Sequence, residues 1–171
     1  MMSSTTRQRS AAILCLAGEG GHMAEMVALM DVLAPNLRAC QKLLVTDTSR
    51  YAFDRFDKVF IFGSLRDKGS IVKTFIKLPC TLLVSLVRTL ILHYRYRPVI
   101  VLSTGPGVAV IPAMVLKLLG VEIIHFECSA RFYSISASTT FIALTCDRFF
   151  VQNKQLEELH KKALYCGLLL S

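Results

Sequence analysis

Short apolar runs alternate along this chain with longer stretches in which apolar positions return every three or four residues. Ala11 to Ala17, Lys42 to Thr46, Lys58 to Phe62, Val99 to Ser103, Val121 to Phe126 and Arg148 to Val151 read as strands. After the first of them Met23, Met26, Val27, Met30 and Leu33 recur at helical spacing until Pro35-Asn36 stops the run. Ser70 to His93 is helical by period, with an interruption expected near Pro79. Val108 to Leu119 is apolar nearly all round and predicts a helix buried on most sides. Gln155 to Lys162 reads as a short charged helix before an apolar tail, Leu164 to Leu170. Apolar strands separated by helices predict an α/β fold, a Rossmann-like parallel sheet with helices on both faces. Residues 1–10 are a polar tail and 11–171 a single domain, with no internal repeat or linker.

Ligands of such sheets bind at the carboxyl ends of the strands. Two glycine turns belong there, Gly18-Glu19-Gly20-Gly21-His22 and Thr104-Gly105-Pro106-Gly107. A strand, a glycine turn and a helix start leave backbone N–H groups facing outward, able to hold an anion such as a phosphate. Gly20, Gly21, Gly105 and Gly107 are therefore candidate substrate-binding positions, although each turn also reads simply as a tight connection. His22, on the first helical turn, is a candidate general base or a residue that caps the loop. Glu25 lies one turn further, where it can orient the ring or accept a hydrogen bond. Glu127 and Arg131 follow a strand and suggest contacts to sugar hydroxyls and a phosphate, or an ion pair that fixes the loop. His125 reads as a core histidine, and His93 and His160 as surface residues. Gly18-x-Gly20 also begins like a dinucleotide fingerprint, with Asp47 as a ribose ligand or, more simply, a turn residue. Met23 at the third glycine position argues against that oxidoreductase reading.

Charge sharpens the picture. The 171 residues carry a net charge of +8. From Arg66 to Arg97 the bases Arg66, Lys68, Lys73, Lys77, Arg88, Arg95 and Arg97 face one acid, Asp67, amid Leu, Ile and Val. Basic charge among aliphatic bulk fits an anionic membrane surface and not a nucleic-acid groove, which interleaves aromatics or glycines. Leu78 to Leu92 contains Pro79 and Arg88 and falls short of the ~20 residues of a spanning helix, so it reads as surface-lying or buried. The six cysteines make no Cys-x-x-Cys pair and no finger spacing with a histidine. They read as reduced, mostly buried thiols without a structural metal.

Taken together, five motifs in order resemble the asparagine-linked glycosylation 14 family. They are Gly20-Gly21-His22-x-x-Glu25-Met26, Thr104-Gly105-Pro106-Gly107, Glu127-x-Ser129-Ala130-Arg131, Asp147-Arg148-Phe149-Phe150-Val151-Gln152 and Tyr165-Cys166-Gly167-Leu168. Bacterial two-part exopolysaccharide glycosyltransferases share the pattern. The resemblance implies the N-terminal half of a split GT-B glycosyltransferase on the cytosolic face of the endoplasmic reticulum. Such a subunit adds the second N-acetylglucosamine to a GlcNAc-diphospho-dolichol acceptor. A donor-binding subunit of the asparagine-linked glycosylation 13 type would hold UDP-GlcNAc and dock on the C-terminal tail, Leu168 to Leu170. This half would bring the membrane contact and the lipid-diphosphate. No cofactor or metal is expected. His22 would deprotonate the acceptor hydroxyl for an inverting attack, with Glu127 and Arg131 positioning the acceptor. A scaffold that only recruits an enzyme to the membrane is the competing reading.

The chain departs from the family pattern in four places. It begins almost directly with its first strand instead of a hydrophobic anchor helix. Glu19 stands where a small residue is common, Cys128 where a serine is, and Asn153 where an aromatic follows the glutamine.

Overall fold

The structure, a computed structural model, describes residues 11–50, 54–62, 71–105 and 107–170, with backbone alone for 71–77. The expected N-terminal tail, Arg66, Asp67, Lys68 and Pro106 lie outside the described residues, as do the side chains of Lys73 and Lys77.

The strands are β1 (Ala12–Ala17), β2 (Gln41–Thr46), β3 (Lys58–Ile61), β4 (Pro98–Gly105), β5 (Glu122–Phe126), β6 (Arg148–Val151) and β7 (Ala163–Tyr165). The helices are α1 (Gly21–Leu33), α2 (Ile71–Tyr96), α3 (Val110–Leu118), α4 (Ala137–Thr145) and α5 (Lys154–Leu159), with a 3₁₀ turn, Gly107–Ala109, leading into α3. All strand pairs are parallel, in the order β3-β2-β1-β4-β5-β6-β7. This is the expected doubly wound sheet.

Alternation along β1 explains why both faces are covered. Leu14 and Leu16 join Leu43, Val45, Val101 and Ile123 in a core closed by Leu92 of α2, Ala113 and Leu116 of α3 and Ile142 of α4. Ile13, Cys15 and Ala17 turn the other way, onto Met23, Met26, Leu29 and Met30 of α1. Each fully buried leucine contributes about 1.5–3 kcal/mol relative to exposure.

One expectation is corrected and two elements are added. α2 runs unbroken through Pro79. Proline removes one helical N–H and frees one carbonyl, but Pro79 lies on an exposed side where water can reach it. α4 had no clear period in its Ser/Thr-rich sequence; it is nucleated by Ser136, whose Oγ accepts the Thr139 N–H at 3.0 Å. The tail is not wholly irregular, because Ala163–Tyr165 adds β7 to the sheet. Asp147 of the fourth motif is structural: it takes the Ile123 N–H at 2.8 Å and pairs with Lys117.

Candidate active site at the carboxyl edge of the sheet

β1 and β4 are neighbours, yet the chain leaves β1 toward β2 and β4 toward β5. Between strands that wind in opposite directions a crevice opens at their carboxyl ends. Both glycine turns meet in it. The Gly18 N–H donates to the Gly105 carbonyl at 3.2 Å, joining the turns backbone to backbone. Gly20 has φ 80° and ψ −134°, a conformation open to glycine at little cost. Gly105 has φ 82°, and a Cβ there would lie 3.4 Å from His22 Cε1. The positive φ is what favours glycine in the second turn, with His22 packed against it at ordinary contact distance. α1 then starts at Gly21, leaving the Gly21 and His22 amides without an intrahelical acceptor.

His22 is fixed by Thr104. Its Nδ1 lies 2.6 Å from the Thr104 carbonyl, and the Thr104 hydroxyl donates to the His22 carbonyl at 2.8 Å. A carbonyl only accepts, so Nδ1 carries the proton and the Nε2 lone pair remains for a base.

The other predicted residues sort differently. Glu25 does not hold the His22 ring: its Oε1 accepts from the Ser129 N–H and the Ser129 hydroxyl, each at 2.8 Å. It ties α1 to the loop after β5. Glu127 is buried, and its oxygens accept the Cys128 N–H at 3.0 Å and the Ser136 N–H at 3.2 Å. The expected contact of Glu127 with a sugar is therefore corrected to positioning, because its oxygens already serve the loop. Arg131 is exposed and makes no ion pair among the described residues. Asp47 Oδ1 accepts the Glu19 N–H at 3.0 Å, which makes it a turn residue and leaves little for the oxidoreductase reading. The Glu19 carboxylate pairs with Arg50 at 2.8 Å, offsetting its charge beside the turn.

Two residues emerge from the structure as loop clamps. Asn153 Nδ2 donates to the Ser129 carbonyl at 2.7 Å and the Arg131 carbonyl at 2.6 Å. Gln152 Nε2 donates to the Glu127 carbonyl at 3.0 Å while its Oε1 accepts the Leu169 N–H at 2.8 Å. One buried amide thus links the C-terminal tail to the site. In the sequence Gln152 closes the fourth motif and Asn153 departs from the family pattern, but neither position by itself gave this role. His125 is a core residue as expected, between Ser103 Oγ at 3.2 Å and Thr139 Oγ1 at 3.1 Å. Burial pushes its pKa down to about 3.

Away from the crevice, α2 turns Leu83, Val87, Leu90, Ile91 and Tyr94 outward, with Leu83 61% and Tyr94 81% exposed. Beside them Phe60, Phe62, Leu92 and Tyr96 line a groove edged by Arg88 and Arg95. No described helix is long and apolar enough to cross a membrane.

The family model described as "Oligosaccharide biosynthesis protein Alg14 like" matches residues 13–169. The UDP-N-acetylglucosamine transferase subunit ALG14 of Homo sapiens is 27% identical over 95% of this chain and 84% of its own length. The subunit of that name from Yarrowia lipolytica is 26% identical over 92% and 81%. Among solved structures, MurG of Acinetobacter baumannii superposes with a TM-score of 0.67 at 15% identity, over 83% of this chain and 41% of its own. A UDP-N-acetylglucosamine 2-epimerase gives 0.65 at 13% identity, over 92% and 48%. The chain spans less than half of either solved structure, and these two likenesses establish its fold as one Rossmann-like half of a GT-B architecture.

Proposed function

The chain belongs to the Alg14-like family of oligosaccharide biosynthesis proteins, and from that membership we propose that it is the acceptor-side subunit of a UDP-N-acetylglucosamine transferase. The reaction is the transfer of a second GlcNAc to a GlcNAc-diphospho-dolichol, with a separate donor-binding subunit supplying the UDP-GlcNAc site. The observation that carries this reading is the junction of the two glycine turns, with His22 held on Thr104 and Nε2 left basic.

The backbone N–H groups of Gly21 and His22 receive the lipid-borne diphosphate, the Gly105 N–H being taken by Ser103 Oγ at 3.2 Å, and the exposed Arg131 on the loop after β5 supplies a cation for it. His22 Nε2 takes the proton of the acceptor hydroxyl as that oxygen attacks the anomeric carbon in line. UDP leaves toward the partner's amides and helix dipole, and the step needs no metal. Glu25, Glu127 and Asn153 act by holding the loop that carries Ser129 and Arg131. The apolar, cationic face of α2 rests on the cytosolic surface of the endoplasmic reticulum membrane. The exposed Leu168 and Leu170 dock on the donor-binding subunit, and Gln152 couples that contact to the site.

The test is a sugar-transfer assay on the chain co-purified with its donor-binding partner. Transfer is expected only with both subunits present, and His22→Ala is expected to lower kcat by about 10²–10⁴-fold with the complex intact. Full kcat in an intact His22→Ala complex would sink the base assignment. Activity indifferent to His22 and Arg131 but dependent on the tail would favour a recruiting scaffold.

A further inference from the structure

The proposed reaction leaves one group of side chains only partly used. Ligand-type atoms of His22, Glu25 and Cys128 lie within 4.8 Å of one another. His22 and Glu25 are three residues apart on α1, on neighbouring positions of one helix face. Cys128 arrives from the loop after β5, the strand beyond β4 in the sheet order. The set offers an imidazole nitrogen, a carboxylate oxygen and a sulfur. Hard ions such as Mg²⁺ and Ca²⁺ prefer oxygen alone, whereas mixed N, O and S donors suit Zn²⁺ and Co²⁺.

Two of the three donors are already oriented by a second partner. His22 gives its Nδ1 proton to the Thr104 carbonyl, the arrangement by which metal-bound histidines fix the tautomer and aim the other nitrogen. Glu25 Oε1 is held twice by Ser129, so the carboxylate cannot swing away. Its Oε2 is buried, in a residue only 1% exposed, and has no hydrogen-bond partner among the described residues. A buried carboxylate oxygen without a donor is costly, and a cation is one of the few things that removes the cost. The Cys128 thiol lies beside the Glu25 and Glu127 carboxylates. Those same negative charges favour an arriving cation.

We propose that His22 Nε2, Glu25 Oε2 and Cys128 Sγ form a three-ligand site for a borderline divalent transition ion such as Zn²⁺, with the fourth position open to water or substrate. A tetrahedral ion holds such donors roughly 3.3–3.8 Å apart, so the set closes by rotation of the His22 and Cys128 side chains toward an anchored Glu25. Binding forms one metal–sulfur bond and releases the Cys128 thiol proton to solvent, with no change of oxidation state. The ion is an inhibitor and not a cofactor, since it occupies the Nε2 lone pair. That consequence rests on His22 being the base of the proposed transfer; the site itself does not.

Cobalt(II) titrated into the full, reduced chain is the direct probe. A thiolate-to-cobalt charge-transfer band saturating at one equivalent, bleached by Zn²⁺ and absent in Cys128→Ser, supports the site. Glu25→Gln is expected to weaken cobalt binding at least tenfold, and Cys166→Ser to leave the band unchanged. Absence of the band, or its persistence in Cys128→Ser, overturns the proposal. Because Glu25→Gln disturbs a buried contact, a rise in Tm on adding Zn²⁺ gives a second readout, expected in the native chain and lost in Cys128→Ser. In the transferase complex, Zn²⁺ is expected to inhibit the native protein more strongly than Cys128→Ser. A normal cobalt band with transfer insensitive to Zn²⁺ keeps the site and removes the base. No band with transfer still dependent on His22 keeps the base and removes the site.

Discussion

At the β1–β4 edge the polar groups are spent on one another: Thr104 on His22, Ser129 on Glu25, Asn153 on two loop carbonyls. Along the outer face of α2, large apolar side chains such as Leu83, Ile91 and Tyr94 stay mostly exposed. The first region is held by these cross-loop hydrogen bonds, while the Gly21 and His22 amides keep no intrahelical acceptor, which suits chemistry that needs a ligand fixed in place. The second is a sliding surface, where area and charge matter and exact positions do not. A substitution in the crevice should therefore act on kcat, and one on α2 on where the protein resides.

The sharpest way to break this contrast is His22. His22→Ala is expected to cost about 10²–10⁴-fold in kcat while leaving vesicle binding untouched, read by parallel transfer and flotation assays. The converse is Leu83→Glu with Leu90→Glu. Each lost leucine contact removes about 1.5–3 kcal/mol of burial, so for the pair partitioning onto anionic vesicles should fall about 10²–10⁴-fold. Transfer to a detergent-soluble short-chain acceptor should then be unchanged, and a matching loss there would merge the two regions. Asn153→Ala leaves two loop carbonyls without their donor, at about 1–3 kcal/mol. It should raise KM for the acceptor several-fold and lower Tm, while Asn153→Asp should not rescue, because a carboxylate cannot donate.

The smallest effect is a pH dependence. His125 is neutral when folded, with a pKa lowered to about 3 from 6.5. The unfolded chain takes up that proton first, so stability falls as pH drops from 6.5 toward 3 and is unaffected above 6.5. The slope from this residue is at most about 1.4 kcal/mol per pH unit. Denaturant melts of the native chain and His125→Gln across that window should differ in slope, with the variant flatter.

Much of this was legible beforehand because it depends on local pattern. Apolar runs fixed six of the strands, and the glycine turns after the first and fourth strands announced where a ligand would sit. The basic, aliphatic composition of α2 announced its exposed face. The helix α4 was hidden because serines and threonines carry little helical signal until Ser136 caps them. Strand β7 was hidden because three residues of ladder have no period of their own. Side-chain roles in the crevice were harder still. Glu25 and Glu127 were chosen for their charge, and that charge turned out to serve Ser129, Cys128 and Ser136.

The chain alone therefore dictated which segments would be strands, where the backbone needed glycine and which helix would stay greasy and positive. Those are consequences of a residue and its near neighbours. Only the folded sheet decided that residues 22 and 104 would share two hydrogen bonds, that Glu25 would meet Ser129, and that one oxygen of Glu25 would be left alone beside a histidine and a thiol. Partners about a hundred positions apart are chosen by strand order and register, and no local pattern encodes them.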